Sequence, residues 1–135
     1  MKYIYTAVFS SDAKGRKVYA RVPDLPGCIT TGATLDDAIE QITDAASGWL
    51  VVAEDENLEI APPTPQEQLP HKKDEFYSLI RIDTIAYRAK TDTRATRKNV
   101  SLPRWMAVLA DKRKINCSQV LQEGLMAALS DTHSR

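Results

Sequence analysis

Arg97–Leu129, R-K-N-V-S-L-P-R-W-M-A-V-L-A-D-K-R-K-I-N-C-S-Q-V-L-Q-E-G-L-M-A-A-L, reads as one short strand followed by two helices. Arg97, Asn99 and Ser101 alternate with Val100 and Leu102. Successive strand side chains point to opposite faces, so a polar edge is set against an apolar one. Pro103, with its fixed φ and missing N–H, suits the first position of a helix, and Trp105, Met106, Val108, Leu109 and Ala110 then recur at helical spacing. A second helix opens at Asn116, with Gln119 at capping-box distance, and carries Val120, Leu121, Leu125, Ala128 and Leu129 as its apolar stripe. Such a unit is too small to bury those faces alone, and a two-stranded ribbon is marginal in water. The segment therefore predicts an obligate dimer in which each strand pairs with its copy. The competing reading is a plain helical hairpin with an edge strand and solvated charges.

The pattern resembles the ribbon-helix-helix DNA-binding family over residues 97–129. The resemblance implies that two antiparallel strands, one per subunit, enter the major groove and read base edges through Arg97, Asn99 and Ser101. Their chemistry suits that role, since Arg pairs with guanine O6/N7, Asn with adenine N6/N7, and Ser with either. It also implies a backbone phosphate at the amino end of the second helix, here Asn116, Cys117 and Ser118, where free N–H groups favour an anion. Two departures stand out: Lys98 where an apolar residue is common, and Lys114 where Gly often makes the turn. Gly124, inside the second helix, reads equally well as a close helix approach or as plain tolerance.

Charge points the same way. Residues 94–135 hold eight Lys/Arg against three Asp/Glu, a net of +5, whereas residues 1–93 hold ten against fifteen, a net of −5. The formal net charge of zero conceals a basic tail and an acidic body, and the basic tail points to nucleic acid.

With 135 residues, 43% of them hydrophobic, the chain is long enough for one compact domain and a small appendage. It has no apolar run of membrane length and no signal-peptide pattern at its amino terminus, so a cytoplasmic protein is expected. Cys28 and Cys117 lack CxxC spacing and read as ordinary small residues, while His71 and His133 fall in a linker and a tail. No metal and no cofactor is expected.

The amino-terminal body reads βββαβ. Lys2–Phe9 is a strand, Lys17–Val22 its hairpin partner, and Cys28–Thr31 a third strand after the bend P-D-L-P-G. Thr34 and Asp37 cap a helix whose stripe runs Leu35, Ala38, Ile39, Ile42, Ala45, Ala46, Trp49, Leu50, Ala53 and faces a sheet; Glu54–Asn57 closes it. Residues 61–75 hold four of the seven prolines and read as an exposed, extended loop. Phe76–Ile82 is a fourth strand, and Arg88–Thr96 a polar hinge. Tyr3, Tyr5 and Tyr19 fit surface anchors and core equally well.

V-P-D-L-P-G-C at Val22–Cys28, followed by T-x-G-x-T-x-x-D-A at Thr30–Ala38, resembles the start of HicB antitoxins. With the tail, the resemblance spans nearly the whole chain. It implies an α+β protein with a βββαβ, partial RNase H-like domain over residues 1–87, a linker over 88–96, and a ribbon-helix-helix domain over 97–135. The body then neutralises a HicA-type ribonuclease toxin, through residues the sequence leaves unnamed. The tail represses its own operon as a homodimer or a higher assembly built on it. An RNase H-like fold raises nuclease chemistry, which needs carboxylates converging on two metal ions. The first strand holds no acid, and Asp36, Asp37, Glu40 and Asp44 fall on the polar side of the helix, so no catalytic residue is expected. The alternative is a ribbon-helix-helix regulator whose body senses a small ligand.

Overall fold

A computed structural model of the chain describes residues 1–130. It divides into two compact units, a body spanning Lys2–Ala89 and a second unit that opens at Lys90.

In the body, β1 (Lys2–Ser11), β2 (Val18–Arg21), β3 (Ile29–Gly32), α1 (Leu35–Asp55) and β4 (Glu75–Asp83) follow the expected order, and a further helix, α2 (Thr84–Thr91), comes after them. The sheet is antiparallel throughout, in the order β3-β2-β1-β4. β1 and β2 are joined by a turn in which Asp12 accepts from the Arg16 amide at 2.7 Å and from the Gly15 amide at 3.0 Å. β1 and β4 then pair along nine residues, from Lys2 opposite Asp83 to Ser10 opposite Glu75.

The V-P-D-L-P-G-C segment forms a tight corner. Leu25 donates its amide to Val22 O, Cys28 to Leu25 O and Val22 to Cys28 O, all near 3 Å, with Gly27 at φ +81°. Leu25 and Cys28 are thereby turned into the core. The T-x-G-x-T-x-x-D-A segment has an equally local cause. A Cβ at Gly32 would stand 2.4 Å from the Ala38 amide nitrogen, so only glycine lets β3 pass the first turn of α1. Thr34 accepts the Asp37 amide at 3.1 Å, and Asp37 reaches back to the Ala33 amide at 2.9 Å, which satisfies donors a helix start leaves open.

α1 buries Ala38, Ile42, Ala46 and Leu50 against Tyr5, Ala7, Phe9, Ala20, Ile80 and Ile82 of one sheet face, and Ala53 is buried near its end. Leu35, expected in the stripe, is exposed, and Ser47, outside it, is buried with its hydroxyl donated to Thr43 O at 2.7 Å. The helix ends in a Schellman turn: Asn57 takes φ 54°, and Leu58 folds back to donate to Ala53 O at 2.9 Å.

Two further readings of the body change. The Pro-rich loop is fastened rather than free. Tyr5 Oη donates to Ala61 O at 2.6 Å, Thr64 bonds Asp24 through amide and hydroxyl, and Leu69 is buried. Tyr77 Oη donates to Pro70 O, and the His71 ring lies 4.6 Å from the Tyr77 ring. Arg88–Thr91, expected in a hinge, is the second half of α2. That helix starts where Asp83 Oδ1 accepts the Ala86 amide at 3.1 Å, and it is too short to display an apolar period.

The second unit contains α3 (Arg104–Lys112) and α4 (Cys117–Ser130). Pro103 stands as the N-cap of α3, one position earlier than expected. Residues 92–103 carry no regular secondary structure in the single chain. A strand is defined by a hydrogen-bonded neighbour, and among the described residues none pairs with 97–102.

Candidate nucleic-acid interface

Arg97, Asn99 and Ser101 are all exposed. The intervening Lys98, Val100 and Leu102 line an apolar groove against Met106 and Ala110 of α3 and Val120 and Leu121 of α4. The two-residue alternation is therefore present as geometry: one set of side chains turns toward the helices, and the other set does not line the groove. Lys98 occupies a lining position that the pattern favours for an apolar side chain. Its long methylene stem can cover apolar surface while its ammonium stays wet.

Asn116 caps α4, its Oδ1 accepting the Gln119 amide at 3.1 Å. The reciprocal half of the box is absent, because the Gln119 side chain turns to Glu123 Oε1 at 3.3 Å. Cys117 and Ser118 form the exposed first turn of α4 and also line the groove. Lys114 makes the turn between the helices at φ 55°. The Lys114 amide donates to Asp111 O and the Ile115 amide to Ala110 O, a second Schellman turn built without glycine. Around Gly124 an added Cβ meets nothing within 4 Å in the single chain. His133 lies outside the described residues.

No residue of α3 or α4 is buried in the single chain. Trp105 is 63% exposed, and Val108, Leu109, Val120, Leu125 and Leu129 all present about half of their surface. Helices with this much apolar surface in water lack the layer that would cover them.

In the body, sequence reasoning missed Glu54. It reads as a terminal charge, yet its side chain is largely buried and gathers three donors: Tyr3 Oη at 2.7 Å, Thr84 Oγ1 at 3.0 Å and the Arg88 guanidinium at 3.0 Å. Burial, then the hydrogen bond and charge of Glu54, push the Tyr3 phenol well above its usual range. The three tyrosines separate: Tyr5 is core, Tyr3 is half-buried, and Tyr19 is exposed. Burial raises the Cys28 thiol to about 11, whereas Cys117 is exposed; both are free.

Asp36, Glu40 and Asp44 are exposed along α1, and Asp37 is engaged in the cap. Among the described residues no group of three or more His, Cys, Asp or Glu side chains is placed to hold a metal ion. No helix among them is long and apolar enough to cross a membrane.

Solved structures with a similar fold include a toxin-antitoxin complex from Streptococcus pneumoniae, at TM-score 0.60 and 18% identity over 95% of this chain and 99% of that one. The antitoxin HicB of Burkholderia pseudomallei follows, at TM-score 0.53 and 23% identity over 96% and 98% of the two chains. No curated protein matches the chain. The family model for the HicB-like antitoxin of bacterial toxin-antitoxin systems matches residues 5–129, and the chain belongs to that family.

Proposed function

We propose that this protein is a two-part antitoxin without catalytic activity of its own. Its body, a partial RNase H-like fold, binds and neutralises a HicA-type ribonuclease toxin. Its tail forms a ribbon-helix-helix homodimer that represses the operon by gripping operator DNA in the major groove. Family membership supports the antitoxin role. The observation that carries the tail reading is the uncovered apolar surface of α3 and α4 lying beside a segment whose alternate residues, Arg97, Asn99 and Ser101, are exposed. A second copy would bury the helices and supply the missing strand neighbour in one step, leaving Arg97, Asn99 and Ser101 outward. Asn116, Cys117 and Ser118 would then offer a phosphate the amino end of α4.

The test has two arms. Light scattering coupled to gel filtration should give twice the chain mass or a multiple of it, and mobility shifts on the upstream DNA should give a salt-sensitive specific complex. Mixing with the purified product of the adjacent reading frame should abolish that protein's RNA cleavage. A monomer indifferent to both partners refutes the reading.

A further inference from the structure

The body also carries an apolar surface that its core covers only in part. Along the last turns of α1, Ala45 and Trp49 pack against the core yet stay partly exposed, Val52 is exposed, and the Schellman turn folds Leu58 back beside Ala53, so that these residues and Gly48 wall an apolar groove. Val52 and Leu58 are each about half exposed, and Trp49 is held at the groove's edge by its Nε1 donating to Pro26 O at 3.0 Å. Leu35–Ile60 contains eight Asp/Glu and not one Lys or Arg. Arg88 pairs with two of the eight, Glu54 and Asp55. Among the described residues no Lys or Arg forms an ion pair with Asp36, Glu40, Asp44, Glu56 or Glu59. The other face of the sheet buries Thr6 and Val8 and is exposed and apolar at Ile29 and Leu79, but its charges are of both signs, Arg21 and Arg81 with Glu75 and Asp83, so it singles out no partner by charge.

We propose that the groove of Trp49, Val52 and Leu58 is the seat of a cationic protein surface, one that inserts an apolar side chain between these residues and sets Lys/Arg against the acids of α1. This rests on the antitoxin reading above, under which the partner is the toxin, a protein that must be basic to hold RNA. Complementary charge brings the two together, and the desolvated apolar contact then holds them.

The experiment measures binding of full-length chain to the purified product of the adjacent reading frame, by surface plasmon resonance, for the parent and the Val52→Lys, Asp44→Lys and Ile29→Lys variants. All three sites are exposed, and circular dichroism melts check folding. Val52→Lys is expected to weaken binding about tenfold or more through a faster off-rate, and Asp44→Lys to slow association, an effect that fades at high salt. Ile29→Lys should bind like the parent. If the parent binds while Val52→Lys and Asp44→Lys bind equally well, or if Ile29→Lys is the variant that loses binding, the groove assignment falls and the antitoxin reading stands. If Val52→Lys instead changes the mass of the free protein, the groove is a contact between copies and the assignment falls. A parent that does not bind at all removes both.

Discussion

The Arg88 guanidinium donates to Glu54 Oε1 at 3.0 Å, tying the helix that leaves β4 to the end of the helix that covers the sheet. Glu54 is the shared acceptor for Tyr3 and Thr84 as well, so its removal takes a charged acceptor from a half-buried and a buried hydroxyl and leaves Arg88 with Asp55. Glu54→Ala is expected to cost the body about 2 to 3 kcal/mol, the scale of hydrogen bonds to a charged group left unmade. Arg88→Ala should cost less, about 1 kcal/mol, because a third of its side chain is exposed and water screens the pair. Urea melts followed by far-ultraviolet circular dichroism rank the two; an equal midpoint for Glu54→Ala and parent refutes the role.

Gly32→Ala should be more damaging than its size suggests. Its new methyl would meet the Ala38 amide nitrogen at 2.4 Å and the Ala38 Cα at 2.7 Å, both main-chain atoms that cannot swing aside. Moving the start of α1 disturbs the Thr34 and Asp37 cap, so a loss of about 1 to 3 kcal/mol is expected. A melt that matches the parent contradicts the close approach.

Acid should loosen the body partly through Glu75. The hydrogen bond from Arg21 at 2.8 Å is the largest influence and holds the Glu75 carboxyl below its ordinary 4.5; burial opposes it, and the Tyr77 hydroxyl and nearby cations assist. A folded-state pKa below the unfolded one means the unfolded chain takes up the proton first. The contribution is therefore complete above the ordinary carboxylate pKa of 4.5 and is lost as pH falls through the lowered value. Glu75→Gln should flatten that part of the stability profile below about pH 4.5; an unchanged slope refutes the assignment.

What could be read in the sequence was local. The Thr34–Asp37 cap, the Asn116 cap and the Gly27 corner are each set by residues within a few positions of one another, and the period of α1 spans six turns. What escaped is long-range or short. Glu54 meets Arg88 across 34 positions and Tyr3 across 51, which no spacing rule reaches. α2 has only eight residues, too few to show a period, although Asp83 as its cap was a visible signal. The Pro-rich loop is fixed by partners such as Asp24, 40 positions away from Thr64, so composition alone suggested freedom. The alternation of Arg97–Leu102 needs only six residues to show in the sequence, whereas a strand there needs a hydrogen-bonded neighbour that none of the described residues supplies.

Lys114→Gly should stabilise the second unit. Lys114 holds φ 55°, where a side chain crowds the following carbonyl, at about 1 kcal/mol or more. Glycine avoids that crowding while keeping the Schellman hydrogen bonds, less the extra entropy it loses on folding. Asn116→Ala should act oppositely, losing about 0.5 to 2 kcal/mol with the cap on the Gln119 amide. Melts of the two variants should move in opposite directions; shifts of the same sign refute the turn-and-cap account.

Arg97 separates positioning from reading. It is exposed and absent from the groove lining, so Arg97→Ala leaves the apolar surface of α3 and α4 intact and should not change the oligomeric mass. If its guanidinium spans guanine O6 and N7, operator affinity should fall by about 1 to 3 kcal/mol, and preference should relax at one base pair per half-site. A contact to phosphate alone would instead weaken every sequence alike and shallow the salt dependence by about one unit. Mobility shifts across single-base operator variants at two salt concentrations distinguish these outcomes. Affinity, preference and salt slope all equal to the parent would remove Arg97 from the DNA surface, and the same titration on Asn99→Ala would then show whether the ribbon reads DNA at all.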